Sequence, residues 1–236
     1  MTEELFRDDG YQKECEATVT GVSEGGIELD RTVFYHTSGG QPGDSGTLTT
    51  VGGVSIEIVD TRKDRDTGTY QHVPADGAMA VSVGDKVTAA INWERRHRHM
   101  RMHTCMHLLC SVIEGGVTGG SIGEGKGRID FDLPVLDLDK EVIAAQINQR
   151  IEENLSVTSF WITEEEMAAN MDMVRTMSVK PPSGQGRVRL INVDGVDLQP
   201  CGGTHVKATG EIGPIRVGKI ENKGKHNRRV NLHFVE

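Results

Sequence analysis

The sequence predicts an α+β protein in which a small N-terminal β-barrel precedes a domain of helices packed on a mostly antiparallel sheet. Three patterns favour this fold class. Short apolar runs alternate with Gly-rich turns up to residue 91, a long window without Gly or Pro follows, and helical and extended patterns then alternate. The 236 residues suffice for two modest domains, which we expect to span residues 1–91 and 92–236.

The first part of the chain favours β-structure because Pro and Gly interrupt every segment that could form a helix. Strands this short, separated by such turns, are typical of a small barrel or sandwich. The expected strands are Ala17–Val22, Ile27–Leu29, Thr47–Thr50, Val54–Asp60, Thr69–Val73, Met79–Val83 and Lys86–Ile91.

Helical and extended patterns alternate in the second part. A long helix is expected from Glu94 to Glu114, because apolar residues there recur every three or four positions. We expect the glycines that follow to form a loop from Gly115 to Gly127. Helix-capping residues then predict two further helices. These caps are Asp139, and Thr163 with Glu166; the expected strands are Ile129–Leu133, Val157–Ile162, Arg187–Val193, Ile212–Ile220 and Arg229–Val235, with a loop over Pro181–Gly184.

Composition and charge narrow the function classes. The net charge of −9 provides no global positive field, so any contact with nucleic acid must use local patches. Four cysteines are few for a disulfide scaffold, and we therefore expect a reducing, cytoplasmic compartment. Neither a signal peptide nor a stretch long enough for a transmembrane helix is expected.

Two motifs nearly a hundred residues apart supply three imidazoles and one thiolate. His103 and His107 lie four positions apart, so both project from one face of the expected helix. Cys201 and His205 flank a Gly-Gly-Thr segment. Zn²⁺ prefers this set of donors, whereas Mg²⁺ and Ca²⁺ prefer oxygen ligands. Four ligands allow a closed structural site, but the neighbouring glycines favour one that faces a substrate.

A zinc protease is a weaker alternative. The helix motif of such enzymes carries a Glu directly after the first His as general base, and this chain has Thr104 there. The Gly-rich segment from Phe34 to Gly46 matches no phosphate-binding motif. It is either a long barrel turn or a wall of backbone amides that closes over a small ligand.

Positive charge is concentrated close in sequence to both ligand motifs. Phosphates of a polyanionic substrate would be bound by these patches with a salt-dependent affinity. The two patches are Arg95, Arg96, Arg98 and Arg101, and Lys219, Lys223, Lys225, Arg228 and Arg229.

In this order, the motifs resemble the free-standing alanyl-tRNA editing proteins (the AlaX family), which are related to the editing domain of alanyl-tRNA synthetase. The expected barrel is typical of the medium-length subgroup. Threonyl-tRNA synthetase has a similar editing domain, but Gly-Gly-Gln-Pro in the barrel loop fits the alanyl family better. The resemblance rests on Phe34-Tyr35, Ser38–Asp44, Arg95-Arg96, Met100, His103–Leu109, Ile129–Phe131, Val196–His205, Thr209–Gly213 and Lys219–Lys225.

The resemblance implies a zinc-dependent hydrolase that acts in trans on mischarged alanine tRNA. Serine is the expected amino acid and glycine a further candidate. No amino-acid-activating domain is expected. A zinc-stabilised RNA-binding module without catalysis and a zinc amidase or peptidase for small substrates remain alternatives. The implied zinc ligands are His103, His107, Cys201 and His205; the amino-acid pocket candidates are Thr37, Ser38, Gln41, Thr118 and Ser121; the tRNA contacts are Arg95, Arg96, Lys223, Lys225, Arg228 and Arg229.

Overall fold

The computed structural model describes residues 2–75, 81–134, 138–171, 174 and 186–235. It has the expected α+β fold class, with a small closed barrel in the N-terminal part. The chain forms two compact units, Met1–Arg98 and His99–Glu236. The domain limits drawn from the sequence stay a prediction.

The first unit is built around a barrel with the strand order β2-β3-β7-β6-β5-β8, closed by antiparallel pairing of β8 with β2. Aliphatic side chains that alternate along these strands, together with Phe34, fill its interior. A two-residue parallel pair, β1 with β4, lies beside a short 3-10 helix, Leu5–Arg7. The strands are β1 Glu3–Glu4, β2 Glu14–Ser23, β3 Gly26–Leu29, β4 Arg31–Thr32, β5 Gly46–Thr50, β6 Ser55–Lys63, β7 Tyr70–Pro74 and β8 Lys86–Ile91.

One expected strand of this unit is wrong in its described part. Of Met79–Val83, residues 79 and 80 lie outside the described residues, and residues 81–83 lead into a turn. The amide of Asp85 donates to the carbonyl oxygen of Ser82 (3.1 Å), and Gly84 has a φ of +97°. A positive φ favours Gly and ends an extended segment.

The second unit contains two antiparallel sheets. The four-stranded sheet has the order β14-β15-β10-β9 and the three-stranded sheet the order β11-β12-β13. A 3-10 turn, Thr209–Ile212, precedes β14, so that strand begins later than the sequence predicted. The elements are α1 Trp93–Val112, β9 Gly116–Ile122, β10 Lys126–Asp132, α2 Lys140–Glu152, β11 Val157–Thr163, α3 Glu164–Ala169, β12 Arg187–Val193, β13 Asp197–Pro200, β14 Ile215–Asn222 and β15 Asn227–Phe234.

The helix caps confirm the sequence prediction. The carboxylate of Asp139 accepts hydrogen bonds from the amides of Glu141 and Val142 at the start of α2. Thr163 and Glu166 form a reciprocal capping box at α3. The expected loop over Pro181–Gly184 lies outside the described residues. Among the residues that the structure describes, no helix is long and apolar enough to cross a membrane.

The expected Gly-rich loop from Gly115 to Gly127 is wrong, because this segment forms β9 and begins β10. Its glycines let the sheet pack closely on α1. A Cβ on Gly127 would lie 2.7 Å from Met102 Sδ, and one on Gly120 would lie 3.2 Å from Met106 Cε. Here glycine serves close packing between a strand and a helix rather than a turn.

Candidate metal centre

Two of the four metal-ligand candidates are held by helix α1. His103 and His107 are one helical turn apart and both are buried, with 8% and 5% of their surface exposed. Met102 and Met106, the residues just before them, contact the glycines of β9 and β10. This packing fixes the rotation of α1 and therefore the direction of both imidazoles.

The other two candidates follow strand β13. The amide of Cys201 donates to the carbonyl oxygen of Arg189 on β12 (3.1 Å). Nη1 of Arg189 donates in return to the carbonyl oxygens of Cys201 (3.1 Å) and Gly203 (2.9 Å). The guanidinium of Arg189 thus fixes the loop that carries Cys201 and His205. Sequence reasoning missed this residue.

The four side chains converge within the second unit. Their potential ligand atoms all lie within 4.8 Å of one another. Cys201 Sγ is 3.4 Å from His103 Nε2 and 3.3 Å from His205 Nε2. The amide of Gly203 also donates to this sulfur (3.4 Å). One thiolate and three imidazoles at these separations fit a single Zn²⁺ ion, as the two motifs indicated.

The surroundings of Cys201 favour its thiolate form. Burial alone would raise the pKa of this thiol, but the positive charges of His103 and His205 and hydrogen bonds from neighbouring imidazoles hold it well below 9.0. Because the thiolate rather than the thiol binds metal, the cluster favours the ligating form of its sulfur.

A carboxylate orients one of the imidazoles. Nδ1 of His107 lies 2.9 Å from Oδ2 of Asp197, which also accepts a hydrogen bond from Nε2 of Gln199 (2.8 Å). Burial opposes the protonated form of His107, yet hydrogen bonds from Asp197 and Cys201 raise its pKa to about 9. With Nδ1 facing a carboxylate, Nε2 is left as the ligand atom.

A hydroxyl orients a second imidazole. Thr104 Oγ1 donates to the carbonyl oxygen of Met100 (3.0 Å), so it acts as an acceptor toward Nδ1 of His205 (3.2 Å). This assigns the proton of His205 to Nδ1 and leaves Nε2 facing Cys201. Burial lowers the pKa of His205 well below 6.5, in keeping with a neutral ligand.

The supporting residues left one signal in the sequence. Asp197, Gln199 and Cys201 alternate along and just beyond β13, so their side chains point to the same side. This period of two identifies the first two as candidate partners of the metal ligands. Thr104 and Arg189 left no comparable signal, because their roles depend on which elements pack together.

Three pocket candidates lie in the barrel unit. Ser38 and Gln41 exchange backbone hydrogen bonds of 3.1 and 2.9 Å across a tight turn. Gly39 and Gly40 within it have φ values of +55° and +85°, as a type I′ turn requires. Thr37 Oγ1 accepts a hydrogen bond from the amide of Gly43 (2.8 Å). Thr37 and Ser38 are exposed, whereas Gln41 is buried.

The remaining two pocket candidates lie on β9, in the same unit as the metal ligands. Thr118 occupies a bulge, where the pairing of β9 with β10 shifts, and its hydroxyl donates to the carbonyl oxygen of Asp130 (3.1 Å). Ser121 stands opposite Arg128 and is half-buried. A bulge redirects side chains locally and is common beside functional sites.

One predicted tRNA contact has a different role in the structure. The side chain of Arg96 is fully buried and forms an ion pair with Asp44. Its guanidinium also donates to the carbonyl oxygens of Gly10 (2.9 Å) and Val33 (2.7 Å). A group enclosed in this way cannot reach a phosphate, so Arg96 is corrected from a surface contact to an internal support of the barrel unit.

The other predicted contacts are more accessible. Arg95 is half-buried, whereas Lys223 and Lys225 are exposed at the turn between β14 and β15. Lys223 pairs with Glu221 (2.7 Å). Arg228 donates to oxygen atoms within the same hairpin, and Arg229 forms an ion pair with Asp130.

Two family descriptions match the chain. "Threonyl and Alanyl tRNA synthetase second additional domain" matches residues 188–231, the region that carries Cys201 and His205. "tRNA synthetases class II (A)" matches residues 5–95.

Full-length relatives carry the same family description. The chain is 41% identical over 245 residues to the Alanyl-tRNA editing protein AlaX-M of Methanosarcina mazei, covering 100% of this chain and 98% of the relative. It is 32% identical over 240 residues to the protein of that name from Pyrococcus horikoshii, covering 98% and 97%. It is 31% identical over 230 residues to the alanine–tRNA ligase of Saccharolobus islandicus, covering 93% of this chain and 25% of that enzyme. With this similarity over its whole length, and with the motifs that first indicated it, the chain belongs to the family of alanyl-tRNA editing proteins.

Proposed function

We propose that this protein is a zinc-dependent trans-editing hydrolase that deacylates alanine tRNA mischarged with serine, with glycine as a further substrate. The observation that carries the proposal is the convergence of His103, His107, Cys201 and His205 within one unit. The relatives that cover the whole chain are named alanyl-tRNA editing proteins, which supports the same substrate.

The chain's own residues would hold and orient the zinc ligands. Asp197 fixes the imidazole of His107, Thr104 fixes that of His205, and Arg189 holds the Cys201 loop through two carbonyl oxygens. A bound zinc ion supplies Lewis acidity toward an ester carbonyl group and lowers the pKa of water. The fixed imidazoles reduce the reorganisation that binding and reaction require.

The arrangement does not favour the peptidase alternative. The residue after the first His is Thr104, and its hydroxyl already contacts Met100 and His205. A zinc protease places a glutamate there as general base. The ester of an aminoacyl-tRNA is a more reactive bond than a peptide, so its hydrolysis depends less on such a base.

Selection of serine over alanine needs positive recognition of a hydroxyl, because alanine is smaller and enters any pocket that accepts serine. A buried polar partner left unsatisfied by alanine can discriminate by about 10⁴ or more. We keep the predicted pocket residues as candidates for this partner. They are Thr37, Ser38, Gln41, Thr118 and Ser121.

The tRNA contacts that remain proposed are the accessible ones, with Arg96 removed from the set. Lys223 and Lys225 at the β14–β15 turn are the most exposed. We also propose a cytoplasmic location for the protein, in keeping with its substrate and with its four free cysteines.

One assay separates the three functions. Purified protein is incubated with labelled Ser-tRNA(Ala) and Ala-tRNA(Ala), with and without a zinc chelator. The proposal predicts loss of serine that the chelator prevents, with alanine retained. An RNA-binding module would bind both tRNAs and release neither amino acid. A small-substrate amidase would cleave peptides and leave both esters intact.

A further inference from the structure

Two rows of side chains cross the solvent-facing side of the four-stranded sheet and differ in charge. In the first row, Glu221, Arg229 and Asp130 stand opposite one another on β14, β15 and β10. In the second row, Arg216 and His233 stand opposite each other, and Lys126 is opposite His233. Directly opposite residues of antiparallel strands share one face, so each row is a line of neighbours.

The first row satisfies its own charges. Arg229 donates through Nε to Asp130 Oδ1 (2.7 Å) and through Nη2 to Oδ2 (2.8 Å). Hydrogen bonds from Arg229, with help from Arg128, hold the pKa of Asp130 below its usual value. Alternating opposite charges across strands stabilise a sheet, so this row has a structural explanation.

The second row, Arg216–His233–Lys126, lacks such compensation. Arg216 and Lys126 are exposed, and His233 between them is half-buried. None of the three forms an ion pair within the described part of the chain. Burial lowers the pKa of His233, and the charges of Arg216 and Lys126 lower it further. Cations placed around an imidazole do not stabilise the sheet, so folding alone does not account for the row.

A glycine makes room for the imidazole in this row. A Cβ on Gly218 would lie 2.7 Å from His233 Nε2 and 3.4 Å from the Cβ of Asn231. Gly218 lies where the pairing of β14 with β15 shifts register. The ring of His233 therefore lies over the sheet between the two cations, with space that any larger residue would fill.

The row lies on the side of the sheet opposite to helix α1. Gly127 and Gly120 contact Met102 and Met106 of α1, and side chains alternate along each strand. Lys126 therefore points away from the helix that carries His103 and His107. A ligand on this face is not the group attached at the metal centre.

We propose that Arg216, His233 and Lys126 form a binding surface for phosphate groups of the tRNA body, away from the acylated 3′ end. This rests on the proposed function, since it takes tRNA as the ligand. Two cations beside a ring that can donate a hydrogen bond match the chemistry of phosphates along a nucleic-acid strand. In a chain of net charge −9, such a patch is the local attraction that binding needs.

The experiment measures binding of unacylated tRNA(Ala) across a range of salt concentrations. The double variant Lys126→Glu/Arg216→Glu should raise the Kd about tenfold and reduce the slope of log affinity against log salt by about two. The neutral double variant Lys126→Gln/Arg216→Gln should give a smaller change in the same direction. The matched control is Lys140→Glu, an exposed lysine on α2, which should bind like the unaltered protein.

Deacylation of Ser-tRNA(Ala) is measured on the same proteins, together with zinc content as a check on folding. The double variants should raise KM and leave kcat unchanged. If both bind tRNA with the same Kd and salt slope as Lys140→Glu, the surface is refuted while wild-type deacylation keeps the proposed function. If the wild type binds tRNA through these residues but releases no serine, the proposed function fails and the surface stands.

Discussion

Oδ2 of Asp197 lies 2.9 Å from Nδ1 of His107, although the two residues are 90 positions apart in the chain. The carboxylate comes from β13, two positions before the loop that carries Cys201, and the imidazole comes from helix α1. The contact therefore joins the two ligand-bearing segments before any metal is considered. It also leaves Nε2 of His107 as the ligand atom.

The first prediction concerns this contact. Asp197→Asn should weaken zinc affinity about 10- to 100-fold without removing the site, since all four ligands remain. Competition with a chromophoric chelator measures the affinity. Asp194→Asn, an exposed aspartate in the turn before β13, is the matched control and should bind zinc normally. Equal affinities for the two variants would show that Asp197 does not support the ligand.

The second prediction concerns the loop that carries Cys201. Arg189→Met removes the donor shared by the carbonyl oxygens of Cys201 and Gly203. Because charged hydrogen bonds contribute about 1.5–3 kcal/mol each, we expect at least a tenfold loss in zinc affinity and a lower kcat. Arg187→Met on the same strand, which removes a guanidinium stacked over Trp161, is the control. Normal zinc binding by Arg189→Met would contradict this role.

The third prediction concerns Arg96 in the barrel unit. Arg96→Met leaves the buried carboxylate of Asp44 without its counter-charge, which should cost about 3–5 kcal/mol in the free energy of unfolding. Arg62→Met breaks an exposed pair with Asp60 and should cost about 1 kcal/mol or less. Urea unfolding measures both. A variant at Arg96 that unfolds like the wild type yet binds tRNA poorly would restore the surface contact that we have withdrawn.

The fourth prediction is a pH dependence that arises from His72. Burial lowers the pKa of this imidazole to about 4, although its hydrogen bond to Ile27 opposes the shift. The folded state thus favours the neutral ring. Its contribution is complete above pH 6.5, the unfolded value, and falls by about 3 kcal/mol as the pH decreases from 6.5 to 4.

His72→Gln isolates this effect, because acid also displaces zinc from its ligands in both proteins. The variant should be less stable at pH 7, having lost the ring's contacts with Thr32 and Ile27. Its free energy of unfolding should also decrease less steeply between pH 6.5 and 4. Parallel pH profiles for wild type and variant would show that His72 does not titrate in this range.

Local patterns sufficed to predict most of the fold. Alternation and turn residues identified the barrel strands, and the side chains of Asp139 and Thr163 marked two helix starts correctly. The segment from Gly115 to Gly127 failed because glycine favours loops in isolation. Only the packing of Gly120 and Gly127 on α1 explains why these glycines form strands.

The ligands were predictable because their chemistry is carried by their own side chains at a recognisable spacing. The residues that orient them are different, because Thr104 and Arg189 act through partners 101 and 12 positions away. Arg96 shows the opposite error. A run of basic residues indicated a solvent-facing patch, but the helical rotation of α1 directs this member into the barrel unit.

The most direct test of the account is a zinc titration of metal-stripped protein, read out as single-turnover deacylation of Ser-tRNA(Ala). We predict no hydrolysis without metal, and a rate that rises linearly and saturates at one zinc ion per chain. Cys201→Ala and His103→Ala should neither bind this ion nor recover activity. Hydrolysis by stripped protein at the full rate, or saturation unaffected by these substitutions, would contradict a catalytic metal centre at these four residues.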